Sequence, residues 1–235
     1  FIISSKGYFK LDGKKNGYWF TTIDWTESDA INAGRSSNII QVSADGEEFA
    51  FYINGLKVAN AFDCALSSGC IGITAVANEN YGNVQISFDN LIIWSPSPVT
   101  MNPEIGDTGA ETKDEGISKE ITNNTVLENE LTIQLGNESG QLPAKDLLYS
   151  ESFSNPGCEW PRYSTAKQVF AYDNGRYDIT VLPDNWYSLE TYKEENFTDF
   201  VMAVEAAKEE GPEPSYYGIV LRYIDEDNFY KFFIS

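Results

Sequence analysis

Ser215-Tyr-Tyr-Gly-Ile-Val-Leu-Arg-Tyr223, Ile224-Asp-Glu-Asp-Asn228 and Phe229-Tyr-Lys-Phe-Phe-Ile-Ser235 end the chain as a strand, an acidic turn and a second strand. The opening residues Phe1-Ile-Ile-Ser4 nearly repeat Phe232-Phe-Ile-Ser235, and Ser5-Lys-Gly-Tyr-Phe-Lys-Leu-Asp-Gly13 continues them as a turn and a third strand. Joined tail to head, the two ends read as one antiparallel meander. The chain therefore reads as the second half of a β domain followed by the first half of another.

Working outward from the ends, the rest of the chain keeps the same grammar. Residues 7 to 94 break into short apolar runs separated by turn signals. Ala44-Asp-Gly46 and Asn54-Gly55 are hairpin dipeptides that accept positive φ. Gly69 to Ala77 carries Ile71, Ile73 and Ala75 at period two, as a half-buried strand does. Residues 96 to 145 are poor in aromatics and rich in Asp, Glu, Asn, Gly and Ser, a linker composition. Within them, residues 125 to 135 read either as a strand or as a solvated tether. Strands resume at Leu147, with Asp173-Asn-Gly175 as a further hairpin turn. No helical periodicity is sustained in residues 7 to 94. The prediction is an all-β, antiparallel two-sheet jelly-roll sandwich. Residues 1–95 supply the second half of a domain, 96–145 an acidic linker, and 146–235 a first half.

Composition narrows the function. The 235 residues are 42% hydrophobic and 14% aromatic, enough for a large packed core. The formal net charge of −20 repels phosphate backbones and anionic bilayers, so nucleic acid is not an expected partner. No run is long and apolar enough for a membrane-spanning helix, so no membrane insertion is expected. The chain contains no histidine, which removes the commonest general base and any Ser-His or Cys-His nucleophile. The chain opens on Phe1, as a processed chain or a fragment would. Cys64 and Cys70 flank a short Gly-containing loop and are expected to form a disulfide, leaving Cys158 over. Asn123, Asn137 and Asn196 each begin an Asn-x-Ser/Thr sequon and are possible glycosylation sites. Together these features point to an extracellular or cell-surface location.

In domain order the motifs run Leu148-Tyr-Ser-Glu-Ser-Phe153, Asn174-Gly-Arg-Tyr-Asp-Ile179, Phe197 to Glu205, Tyr217 to Tyr223 and Asp225 to Tyr230. Next come Gly7-Tyr-Phe-Lys10, Thr22-Ile-Asp-Trp25, Phe51-Tyr-Ile-Asn-Gly55, Ser68-Gly-Cys-Ile-Gly72 and Phe88-Asp-Asn-Leu91. In that order the set resembles the concanavalin A-like lectin/glucanase superfamily, closest to laminin-G-like and related jelly-roll domains of exported proteins. The resemblance implies a two-sheet jelly roll, with glycan binding on a concave sheet in some members. It also implies that many members are non-catalytic modules. The glucanase branch carries a Glu-x-Asp-x-x-Glu-type set on one strand. This chain has no such strand, because Asp225-Glu226-Asp227 lies in a turn.

Several sites have two readings at this level. The Asp225–Asn228 turn is either a solvated hairpin turn or a Ca²⁺ site built from carboxylate and carbonyl oxygens. No other cofactor is implied. Tyr8, Trp19, Arg222 and Tyr230 are candidates for an exposed carbohydrate-binding cluster. The bland alternative is that the aromatics are core and Arg222 pairs with a carboxylate. Three functions are compatible with these residues. The first is a non-enzymatic structural or adhesive protein whose halves complement head-to-tail, with copies of itself as partners and a filament as the product. The second is a lectin-like module that binds glycans. The third is a glycoside-processing enzyme. The two halves could instead close within one chain as a circular permutant.

Overall fold

The acidic turn closes a two-residue hairpin, with Asp225 opposite Asn228. Asn16-Gly17, Asn54-Gly55 and Asn174-Gly175 all have positive φ at both positions, the conformation that lets a two-residue loop follow the strand twist. In the computed structural model these turns, with longer loops, connect fifteen strands and no helix among the described residues. Those are residues 7–77, 83–96, 144–155, 160–182, 187–212 and 215–235. The possible strand at 125–135, the repeat at residues 1–4, Cys158, Asn123 and Asn137 lie outside them.

The first segment supplies β1 (Gly7–Lys15), β2 (Tyr18–Ser28), β3 (Asn38–Asp45), β4 (Glu48–Ile53), β5 (Leu56–Phe62), β6 (Gly69–Ala77) and β7 (Val84–Pro96). The second supplies β8 (Ala144–Glu151), β9 (Tyr163–Ser164), β10 (Gln168–Asp173), β11 (Arg176–Val181), β12 (Tyr187–Phe197), β13 (Phe200–Glu210), β14 (Ser215–Asp225) and β15 (Asn228–Ile234). Two antiparallel sheets pack together. One has six strands in the order β12-β6-β14-β15-β1-β2. The other has nine, in the order β5-β4-β3-β13-β7-β11-β10-β9 with β8 also on β7. β11 pairs with Val84 to Phe88 of β7 and β8 with Leu91 to Pro96 of the same strand, so the two succeed each other along it.

The two segments interleave. β6 lies between β12 and β14, and β13 lies between β3 and β7. At the seam between the chain ends, Phe9 pairs with Ile234 and Leu11 with Phe232. Ser235 N–H donates to the Tyr8 carbonyl at 3.0 Å. The two segments of one chain thus build both sheets of one sandwich.

Alternation then fills the space between the sheets. Phe9 and Leu11 of β1, Phe49 and Phe51 of β4, and Tyr230, Phe232 and Ile234 of β15 all lie in one buried cluster. The Phe51 and Phe232 rings stack at 4.4 Å across the two sheets. Phe153, Trp160 and Tyr177 form a second aromatic group, with Phe153 stacked on Tyr177 at 5.4 Å and edge-on to Trp160 at 5.6 Å. At roughly 25 cal/mol per Å² of apolar area removed from water, burial on this scale is the main favourable term in folding.

Because its seams close internally, the isolated chain is expected to elute as a compact monomer by size-exclusion chromatography with light scattering. A concentration-dependent series of larger species would show that the segments exchange between chains.

Candidate functional site: the outer face of the six-stranded sheet

The four residues proposed from sequence do not form one cluster. Arg222 is 1% exposed and Tyr230 is fully buried, so both belong to the interior. Plain alternation along β14 puts Ile219 and Leu221 inward and Arg222 outward. The strand is irregular at this point. Its pairing with β15 shifts register between Leu221 and Asp225, its pairing with β6 shifts between Val220 and Tyr223, and Arg222 has φ 49°. This bulge turns the guanidinium inward. There it donates to the carbonyls of Leu66 at 2.8 Å, Gly46 at 2.6 Å and Thr198 at 3.0 Å. It also lies 4.6 Å from the Phe49 ring centroid. Arg222 therefore ties three loops together. Tyr230 OH donates to Asp63 Oδ1 at 2.8 Å and accepts from Leu66 N–H at 3.1 Å. Burial and that carboxylate push its pKa well above the usual phenol value.

The remaining two candidates lie far apart. Tyr8 pairs with Glu27 and Trp19 with Lys14, at opposite ends of the β1–β2 hairpin. Six residues of strand separate them, about 20 Å. Trp19 is 42% exposed, and the ring that shares its face is Trp25, 39% exposed, which sequence patterning places only within a strand. Ile23 between them packs against the core. Two register shifts in the β1–β2 pairing, flanking Leu11, allow Ile23 to turn in while both indoles stay out.

The outer face has its own aromatic layer. Phe229, Lys231 and Phe233 alternate with the core residues of β15. Phe229 meets Trp19 edge-on at 5.6 Å, and Trp25 lies 4.7 Å from Tyr216 and 5.3 Å from Phe233. Lys231 Nζ lies 4.6 Å from the Trp19 ring centroid, 5.1 Å from Tyr187 and 5.4 Å from Phe233. Burial lowers its pKa to about 8, Lys10 and Lys14 act in the same direction, and Asp12 opposes them. Beside this layer lies a cavity of about 390 Å³, lined by Tyr187, Leu189, Tyr223, Phe229, Gln168 and Glu226 among others. That volume lies in the range of small-molecule sites.

The turn considered for Ca²⁺ is held by the chain's own groups. Asp225 Oδ1 accepts from Asn228 Nδ2 and Asp227 N–H, both at 2.8 Å, and these bonds hold its pKa below the usual carboxylate value. Lys14 Nζ lies 2.8 Å from Asp227 Oδ1 and donates to the Glu226 carbonyl at 3.0 Å. A cation is thus already present at the turn, as an ammonium. The described residues include no group of three or more His, Cys, Asp or Glu placed to hold a metal.

Cys64 and Cys70 are free thiols, not the expected disulfide. Cys64 is exposed in a loop, while the Cys70 thiol lies 3.6 Å from Asn196 Oδ1 on the neighbouring strand. The loop between them is pinned at buried Leu66, whose N–H and C=O are both bonded, so it is ordered without a sulfur bridge. Asn196 is exposed on β12. Compared with known proteins, the chain matches no family model and no curated sequence.

Arg222→Met, which leaves three carbonyls without their donor, should lower unfolding free energy by about 3 kcal/mol in denaturant titration. A second outcome concerns pH. Lys231 titrates near 10.5 when unfolded and near 8 when folded, so between those values the unfolded chain binds more protons. Stability should therefore rise with pH from about 8 towards 10, by at most about 3 kcal/mol, and the rise should be missing in Lys231→Met.

Proposed function

We propose that this chain is a non-catalytic, exported β-sandwich module that binds carbohydrate on the outer face of its six-stranded sheet. The observation that carries this reading is the pair of half-exposed indoles, Trp19 and Trp25, on a bed of aromatic side chains beside the 390 Å³ cavity. Apolar sugar faces stack on such rings, and a few polar groups then fix orientation. Gln168, Ser188 and Glu226 line the cavity and supply that chemistry. The resemblance to concanavalin A-like jelly rolls supports the same assignment. The two indoles are separated by six residues of strand, a span that suits an oligosaccharide more than one sugar ring.

Two observations favour this reading over the others. Hydrolysis by the usual route takes two carboxylates flanking the scissile bond, and among the described residues the cavity lining includes one, Glu226. Self-assembly by exchanged halves is not needed to complete the sheets, because β15 already pairs with β1 in the same chain. The exposed sequon at Asn196 is compatible with an extracellular or cell-surface setting, where glycan binding would serve adhesion.

The test is a glycan array, then calorimetry on the strongest ligand. Trp19→Ala and Trp25→Ala should each weaken binding about five- to tenfold, with circular dichroism at the binding temperature showing that the sandwich stays folded. Unaltered affinity in both variants, or an array with no bound glycan, would overturn the assignment.

A further inference from the structure

We propose that Asn174 is a modification site, where the Asn174-Gly175 turn closes into a succinimide and reopens as aspartate or isoaspartate. Nothing in this chemistry depends on the carbohydrate-binding reading. Its one co-reactant is water.

Asparagine followed by glycine is the pair most open to this reaction, because no side chain shields the glycine nitrogen. The Gly175 backbone nitrogen attacks Asn174 Cγ and loses its proton to solvent. The Cγ–Nδ2 bond breaks, and Nδ2 leaves as ammonia with a proton taken from solvent. Water then adds to one of the two ring carbonyls. Opening on one side gives aspartate. Opening on the other gives isoaspartate, whose main chain carries one more methylene. One water enters, one ammonia leaves, and nothing is oxidised or reduced.

The sequence contains three Asn-Gly pairs, and the fold separates them. At Asn16-Gly17 the nucleophile is held. Gly17 N–H donates to the Asp227 carbonyl at 3.2 Å, and Asn16 N–H donates to Asn228 Oδ1 at 3.0 Å. At Asn54-Gly55 the carboxamide is held. Its Nδ2 donates to the Ala30 carbonyl at 2.7 Å and to Asn38 Oδ1 at 2.8 Å, and its Oδ1 accepts from Ile39 N–H at 2.8 Å. Asn174 is exposed, and among the described residues its Nδ2 has one partner, the exposed Asp173 Oδ2 at 2.9 Å. Gly175 N–H has no hydrogen-bond partner among the described residues. Beyond the turn itself, the closest group on the open side of Gly175 is Ser154 Oγ, 3.9 Å from where a Cβ would lie. The carboxamide therefore has room to swing onto the glycine nitrogen.

The consequences are confined to the hairpin tip. Asp173 and Arg176 face each other across the turn, and Arg176 Nη1 lies 2.9 Å from Glu209 Oε1. Aspartate at this position sets a second carboxylate beside Asp173. Isoaspartate lengthens a two-residue loop whose φ values, 49° and 79°, already match the strand twist, and so displaces the Asp173–Arg176 pair. The next residue, Tyr177, is fully buried and stacks on Phe153 at 5.4 Å, so the sandwich stays folded beyond the tip.

The experiment is peptide mapping of the full chain during incubation in mildly alkaline buffer, with and without denaturant. Mass spectrometry follows the exchange of amide for acid at each Asn-Gly pair, and chromatography separates aspartate from isoaspartate. In the folded chain Asn174 should convert at least about fivefold faster than Asn16 or Asn54, whose reacting groups must first leave their hydrogen bonds. In denaturant the three rates should converge. An equal or slower rate at Asn174 in the folded chain overturns the proposal. So does a preference for Asn174 that is as large in denaturant, since the local sequence and not the fold would then set it. The product should be a mixture of aspartate and isoaspartate. Aspartate alone would mean direct hydrolysis without the ring, and would also overturn the proposal.

Discussion

β13 is hydrogen-bonded on both sides by strands from the other end of the sequence. Val201 pairs with Ser43 on one side and with Trp94 on the other. Remove the first segment and β13 loses both ladders, in a strand whose Met202, Val204 and Ala206 are buried among apolar neighbours. Unpaired backbone groups there have no solvent to turn to. The two sheets, the aromatic core and the outer face all depend on this interleaving. Folding of the segments is coupled, because each is the other's missing edge.

The outer face inherits that dependence. Lys231 and Asp12 are 219 positions apart in sequence and adjacent in register, because β15 and β1 are neighbours. Trp25 approaches Tyr216 and Phe233 for the same reason. A platform made by both chain ends can form only after the seam has closed. Its turns are tied across the seam as well, because Gly17 N–H donates to the Asp227 carbonyl at 3.2 Å and Asn16 N–H to Asn228 Oδ1 at 3.0 Å.

The sequence was most legible where a physical rule is local. Asn-Gly pairs marked their hairpins, and Ile71, Ile73 and Ala75 marked a strand with a buried face. It was least legible where both faces of a strand are apolar. In Phe229-Tyr-Lys-Phe-Phe-Ile234, period two separates two sets but does not say which set meets the second sheet. Tyr230 belongs to the inner set despite its hydroxyl, because Asp63 and Leu66 satisfy that group. Lys231 belongs to the outer set and is still almost fully covered. The Cys64–Cys70 spacing suggested a closed loop, but buried Leu66 holds that loop instead. Arg222 and Trp25 were obscured by bulges, which alternation cannot reveal.

The β14 bulge bears on how such a surface can change over time. One additional residue in a strand reverses the facing of its neighbours, and here it carries a guanidinium from the solvent side to the loops at Gly46, Leu66 and Thr198. Deleting a residue beside Arg222 at this point would redirect the guanidinium toward the aromatic platform without substituting Arg222 itself. Insertions and deletions at bulges are thus a separate mutational axis in this fold. They exchange buried architectural residues for solvent-facing ones in a single step, a trade that point substitution could reach only by way of an emptied core.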